Sequence, residues 1–148
     1  MSSVLIVYGS TTGNTEYVAD ALEQDLAADG HAVTKANADN VDAAGLCDKH
    51  DVILFGCSTW GDDSIELQDD FIPLFDDFDS INASGKIFGV FGCGDSSYEY
   101  FCGAVDAIQE KLVDMGGTVV DTLKIDGEPQ AEKDNIIAFG KAVLKAVA

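Results

Sequence analysis

Two patterns of apolar residues alternate along the chain, and together they predict alternating strands and helices. Continuous apolar runs of strand length indicate strands that are covered on both faces. Three such runs occur, at 4–8, 52–57 and 87–93. Two further strands are expected at 32–37, where the pattern is weak, and at 118–125.

Between the strands, apolar residues recur every three or four positions, as they do in amphipathic helices. The first helix is expected over 15–29, and a short second helix begins near Phe71 with Pro73 in its first turn, where proline is tolerated. The apolar positions of the last two helices are Val105, Ile108, Leu112 and Met115, and Ile136, Ile137, Val143, Leu144 and Val147. An irregular or helical connection is expected at 39–48, and polar loops are expected at 58–70 and 94–101.

This alternation predicts one α/β domain spanning residues 1–148. Parallel strands joined by right-handed helical crossovers form a doubly wound sheet with helices on both faces. A five-stranded parallel sheet of this size suits the strand order 2-1-3-4-5. In that order, the first, third and fourth strands are neighbours, and we expect the loops that follow them to meet at one edge.

The first of these loops, 9–15, contains glycine, hydroxyl and amide residues and no basic residue. A strand that turns through glycines into a helix start is typical of an anion site, and the expected anion is a phosphate. A nucleotide triphosphatase loop would place a lysine after its second glycine, whereas this loop has Asn14-Thr15. We therefore expect a bound phosphate that is not transferred. The alternative is a simple turn in which Asn14 or Thr15 caps the helix.

The other two loops contribute aromatic residues. The second carries the only tryptophan, Trp60, and the third carries Tyr98 and Tyr100. Large rings beside an anion site suit a planar aromatic ligand held between them. Taken alone, Trp60 favours an ordinary core or surface position, and only the convergence of three loops at one edge favours a ligand-binding role.

Composition narrows the classes of partner. The chain has 27 acidic residues and eight cations, for a net charge of −19, and all eight cations are lysines. This balance argues against nucleic acids and anionic membranes and favours a basic partner. No Lys occurs in the three loops or between residues 50 and 85. With no leader pattern and no apolar run of membrane-spanning length, a cytoplasmic protein is expected.

The four cysteines fit neither a redox pair nor a zinc site. Cys47, Cys57, Cys93 and Cys102 are separated by 10, 36 and 9 positions, which matches no CxxC motif. Free thiols, most of them buried, are the expected state in a reducing compartment. We predict no metal.

Three motifs together give the chain a specific resemblance. They are Ser10-Thr11-Thr12-Gly13-Asn14-Thr15, Cys57-Ser58-Thr59-Trp60-Gly61-Asp62, and Gly92-Cys93-Gly94-Asp95-Ser96-Ser97-Tyr98-Glu99-Tyr100-Phe101-Cys102. Over its whole length, the chain resembles the short-chain flavodoxins of the sulfate-reducing (Desulfovibrio) type. The resemblance implies the flavodoxin-like fold and a tightly but non-covalently bound FMN.

The resemblance also implies roles for individual residues. The phosphate would be held by Ser10, Thr11, Thr12, Asn14 and Thr15, with Gly13 between them. The ring would lie between Trp60 and Tyr98, with Asp95 and Cys102 near its polar edge and the Gly61 peptide turning towards N5. The remaining cofactor-binding residues would be Ser58, Thr59, Asp62, Cys93, Gly94, Tyr100 and Phe101.

The function so implied is low-potential electron transport, not catalysis. The flavin would shuttle between semiquinone and hydroquinone, and nearby carboxylates would make the hydroquinone a strong reductant. Acidic residues that follow Trp60 would steer basic-faced redox proteins, such as c-type cytochromes, hydrogenase or other reductases, to the flavin edge. A monomer is expected, although the sequence leaves a dimer and riboflavin binding open.

Three other classes of protein compete with this interpretation. A response-regulator receiver would need an acidic pair after the first strand and a phosphoacceptor Asp after the third, and neither is present. A low-molecular-weight phosphatase would need an arginine, which the chain lacks. A flavin-dependent reductase is the stronger rival, but His31 and His50 lie outside the three loops and are expected on the surface.

Overall fold

The fold follows the predicted alternation of strands and helices. The computed structural model describes residues 3–9, 13–57, 59–60, 66–67, 70–94, 103–126 and 129–146, and of residues 59, 60, 66, 67 and 94 it describes the backbone alone. Five strands form the main sheet: β1 Ser3–Gly9, β2 Ala32–Asn37, β3 Val52–Cys57, β4 Ile87–Gly94 and β5 Thr118–Asp126. All neighbouring pairs are parallel and the order is β2-β1-β3-β4-β5, which confirms the predicted 2-1-3-4-5 topology.

The helices also begin and end close to the predicted positions. They are α1 Asn14–Ala28, α2 Ile72–Asp76, α3 Gly103–Asp114 and α4 Lys133–Lys145, with short 3-10 turns at Ala38–Asn40, Phe78–Ser80 and Pro129–Glu132. Pro73 lies in the first turn of α2, as its missing N–H requires. No helix in the described ranges is both long and apolar enough to cross a membrane.

One short element differs from the prediction. Within the expected loop at 58–70, Thr59–Trp60 pairs antiparallel with Glu66–Leu67 to form a two-stranded ribbon. Thr and Trp favour extended backbone, but a two-residue strand is too short for hydrophobic periodicity to reveal it.

The sheet separates two apolar cores. On one face, α1 and α4 cover side chains such as Ile6 and Leu54, and on the other face the α2–α3 side covers Val7 and Phe55. Because residues of β1 and β3 are buried on both faces, these strands have continuous apolar sequences. The second core contains a cluster of aromatic rings, in which Phe55 lies 5.1 Å from Phe78 and 5.9 Å from Phe88 between ring centroids. Cys47, Cys57 and Cys93 are buried free thiols, as predicted for most of the cysteines.

Two glycines allow a close approach where β3 and β4 end. A Cβ atom on Gly56 would lie 2.2 Å from Cε2 of Phe91, its partner in the sheet register. A Cβ atom on Gly92 would lie 2.4 Å from the carbonyl oxygen of Cys57. Both distances are far below van der Waals contact, so the packing of these two strand ends requires glycine at both positions.

We predict that Gly56→Ala destabilises the protein by about 1–3 kcal/mol, because the Phe91 ring must leave its packed position. Urea unfolding followed by circular dichroism measures this change. In a Phe91→Leu background the cost of Gly56→Ala should become smaller, since the narrower side chain makes room. If Gly56→Ala lowers the free energy of unfolding equally in both backgrounds, the contact with the Phe91 ring is not the cause.

Candidate functional site

The three predicted loops begin at the carboxyl ends of neighbouring strands. Gly9, the last residue of β1, lies opposite Cys57, the last residue of β3. On the other side of β3, Gly56 lies opposite Phe91, three residues before the end of β4. The sheet therefore brings the starts of all three loops to one carboxyl edge, where open α/β folds place their ligands.

Helix α1 begins at this edge with a left-handed glycine. Gly13 is the N-cap residue with φ of 93°, and its carbonyl accepts the N–H of Tyr17 at 2.9 Å. The N-cap residue is Gly13, so the alternative in which Asn14 or Thr15 is the cap is wrong. A helix start leaves first-turn N–H groups without an intrahelical acceptor and carries the positive end of the helix dipole.

The position beside Gly13 is open as far as the described residues show. Apart from its two chain neighbours, no described residue has a heavy atom within 4 Å of the position that a Cβ atom on Gly13 would occupy. The donors that the chain offers here are backbone N–H groups and the amide and hydroxyl residues at 14 and 15, and they include no cation. Such a donor set suits a phosphate that stays bound.

A hydrogen bond that the sequence did not predict ties β1 to this helix start. The hydroxyl of Tyr8, near the end of β1, donates to Oε2 of Glu16 at 3.0 Å. Burial raises the pKa of the Tyr8 phenol, and the bond to Glu16 raises it further. The Tyr8 phenol therefore stays protonated near neutral pH and donates this bond.

Cys93 of β4 lies close to the start of α1. Thr15, the second residue of α1, is fully buried and influences the ionisation of the Cys93 thiol. Burial raises the pKa of the Cys93 thiol to about 11, although Thr15 partly offsets this effect. The structure thus brings together two of the predicted site residues from different loops.

The two-stranded ribbon places part of the second loop against β4, the strand that leads into the third loop. The Thr59–Trp60 backbone lies against β4, and both ribbon strands lie against α3. The segment that contains Trp60 is therefore next to the strand that leads into the third loop. Its partner strand includes Glu66, one of the acidic residues that follow Trp60.

Several predicted site residues lie outside the described residues. The structure describes Gly13, Asn14, Thr15 and Cys93, and it places the backbone of Thr59, Trp60 and Gly94 at the carboxyl edge. The cofactor-binding roles of all these residues remain predictions. Those outside the described residues are Ser10, Thr11, Thr12, Ser58, Gly61, Asp62, Asp95, Tyr98, Tyr100, Phe101 and Cys102.

The sheet brings one cation towards this edge that the loop sequences do not reveal. Lys124 of β5 lies opposite Gly92 of β4. Its Nζ is 2.6 Å from Oδ1 of Asp106 on α3, so a carboxylate offsets its charge.

Lys35 of β2 is likewise paired, with Asp20 and, at 3.2 Å, with Glu23. Its pKa is raised chiefly by the hydrogen bond to Asp20.

The two histidines lie apart from the candidate site. His50 precedes β3, and its Nδ1 lies 3.1 Å from the hydroxyl of Ser3, the first residue of β1. It therefore sits at the amino edge of the sheet, opposite the three loops. His50 is half-buried and its pKa is lowered by that burial, so the expectation of a solvated surface residue is wrong for it.

Comparison with known proteins identifies the family. The family model described as Flavodoxin matches residues 6–140. The chain is 53% identical over 148 residues to a flavodoxin of Nitratidesulfovibrio vulgaris, covering 99% of this chain and 100% of that protein. It is 54% identical to one of Maridesulfovibrio salexigens, covering 97% of each. Among solved structures, oxidised flavodoxin 2 of Bacillus cereus superposes with a TM-score of 0.90 at 36% identity, over 97% of this chain and 99% of that one. The chain belongs to the flavodoxin family.

Proposed function

We propose that this flavodoxin carries single electrons between other redox proteins on a tightly but non-covalently bound FMN. One observation supports the proposal above the others: α1 starts at a left-handed Gly13 beside the ends of three neighbouring strands. When bound, FMN supplies a ring that accepts and releases electrons one at a time. The protein binds that ring, excludes water and sets its electrostatic surroundings.

The proposed phosphate site lies at the first turn of α1. Hydroxyl, amide and N–H groups of Ser10, Thr11, Thr12, Asn14 and Thr15 would hold the phosphate. The helix dipole adds a partial positive charge there, typically about half an elementary charge. Because no Lys or Arg is part of this set, most of the phosphate's negative charge remains uncompensated.

The proposed ring site lies beside β4. Trp60 and Tyr98 would cover the two faces of the ring, and Asp95 and Cys102 would lie near its polar edge. The backbone position of Trp60 against β4 supports this placement. Gly61 follows it, and its peptide can reorient at low cost because glycine tolerates positive φ. A carbonyl turned towards N5 would accept a hydrogen bond from the N–H group that forms there when the ring gains a proton.

Charge makes the reduced flavin a strong electron donor. The chain carries a net charge of −19, and the acidic run after Trp60 contains Asp62, Asp63, Glu66, Asp69 and Asp70. At ~10 Å and an effective dielectric of ~20 to 40, each carboxylate opposes a further negative charge by about 1 to 2 kcal/mol before salt screening. The second electron therefore enters the site against this repulsion.

The acidic run is also the proposed docking surface. Basic-faced redox proteins such as c-type cytochromes would be steered to it, and hydrogenase or other reductases are further candidates. The protein would act as a cytoplasmic monomer. It would be a carrier and not a flavin-dependent reductase. Electron transfer to another protein requires no pocket for a small substrate.

The direct test of the carrier function is the absorbance spectrum of the purified protein during stepwise reduction. A yellow protein with one FMN per chain should show a long-wavelength band that rises to half-reduction and then disappears, because electrons enter one at a time. The fully reduced protein should pass electrons to a c-type cytochrome. A colourless protein that takes up no FMN would refute the proposal, and turnover of a small substrate would favour the reductase.

For the docking surface, we predict that Asp62→Lys and Asp69→Lys slow electron transfer to a basic c-type cytochrome at low ionic strength. Reversing a charge weakens the attraction that steers the encounter, and salt should reduce the difference from the unmodified protein. Stopped-flow mixing measures the rates. Asp134→Lys, an exposed site in the first turn of α4, is the matched control. Equal slowing by all three variants would assign the effect to net charge alone.

A further inference from the structure

Glu16 is the third residue of α1, and from that position a carboxylate can bind the start of its own helix. The helix follows the N-cap Gly13, whose carbonyl accepts the N–H of Tyr17. A glutamate three residues after the N-cap can fold back onto N–H groups at the helix start, as it does in a capping box. These N–H groups belong to the proposed phosphate site, and the positive end of the helix dipole attracts either anion. Glu16 is therefore a competitor of the phosphate within its own helix.

In the structure, the Glu16 carboxylate is held towards β1 instead. The Tyr8 hydroxyl donates to its Oε2 at 3.0 Å. Glu16 is exposed, so without that donor its long side chain is free to take other rotamers. Lys35 of β2 lowers the pKa of Tyr8 slightly, but its own charge is bound to Asp20 and Glu23. Within the described part of the chain, Tyr8 is thus the one hydrogen-bond donor to the Glu16 side chain.

Tyr8 has little freedom to move. Its side chain is 9% exposed and belongs to the same apolar core as Val18 and Leu22 of α1. Its backbone lies between two neighbouring strands, opposite Asn37 of β2 and Gly56 of β3. Burial raises the pKa of the phenol, so the hydroxyl remains a donor at neutral pH. A donor fixed in this way determines where the more mobile carboxylate lies.

We propose that Tyr8 is a positioning residue for the flavin phosphate, because its bond to Glu16 keeps that carboxylate away from the N–H groups of the helix start. The inference rests on the proposed function, and it assigns a role to two residues outside the predicted cofactor contacts. Without the bond, Glu16 folds back and occupies part of the phosphate site. The apparent affinity for FMN then falls in proportion to the fraction of molecules in which the site is open.

The test compares FMN with riboflavin, which lacks the phosphate, using fluorescence quenching as each is titrated into the full chain freed of flavin. Tyr8→Phe keeps the ring and removes the hydroxyl. It should weaken FMN binding about fivefold, the effect of a competing contact as strong as a typical helix cap. Riboflavin affinity should stay unchanged. Tyr17→Phe, which removes a hydroxyl from the next residue of α1, is the matched control and should leave both affinities unchanged.

A double-mutant cycle separates competition by the carboxylate from a loss of packing. Glu16→Ala removes the competing side chain, so this variant should bind FMN at least as tightly as the unmodified chain. In the Glu16→Ala background, Tyr8→Phe should have no further effect on FMN affinity. If the unmodified chain does not bind riboflavin, this cycle with FMN decides alone.

Three results would refute the role of Tyr8. They are an unchanged FMN affinity in Tyr8→Phe, an equal weakening of both flavins, and a loss of FMN affinity that persists in the Glu16→Ala background. Each of these leaves the proposed function intact, because the unmodified chain still binds FMN. An unmodified chain that binds no FMN would refute the proposed function and the role of Tyr8 together.

Discussion

The close contact between the carboxyl ends of β3 and β4 is the constraint on which the rest of the site depends. Gly56 leaves room for the Phe91 ring, and Gly92 lets its strand approach the Cys57 carbonyl. A side chain at Gly56 would displace the Phe91 ring, and one at Gly92 would push β4 away from the backbone of β3. The apolar cores on the two faces stabilise the sheet, but these glycines determine how closely its functional edge is assembled.

A hydrogen bond connects this edge to the start of α1. Tyr8, near the end of β1, donates it to Glu16 in the first turn of the helix. The helix start then offers an anion neutral donors in a fixed arrangement. Lys124, which the sheet places beside Gly92, is paired with Asp106 and leaves little net positive charge at the edge. Anion binding and a negative electrostatic field are therefore compatible in one small region.

Much of this arrangement could be predicted from the sequence, because the signals were local. The continuous apolar runs of β1 and β3 identify buried strands, and Pro73 marks the first turn of α2 correctly. Periodicity does not reveal the two-residue ribbon, because it needs a longer segment. The sequence offers Asn14 or Thr15 as the helix cap, whereas the left-handed backbone of Gly13 makes that glycine the cap. The Lys124–Asp106 pair joins β5 to α3, and only the packing of the helix against the sheet brings its two residues together.

The central claim is that FMN here is held by neutral donors within uncompensated negative charge, which makes the second electron difficult to add. The reduction potential of that second one-electron step, measured at increasing ionic strength, tests this claim most directly. Screening by salt weakens the repulsion between the added electron and the surrounding carboxylates, so the potential should become less negative as ionic strength rises. A potential that does not change between low and high ionic strength would contradict the account.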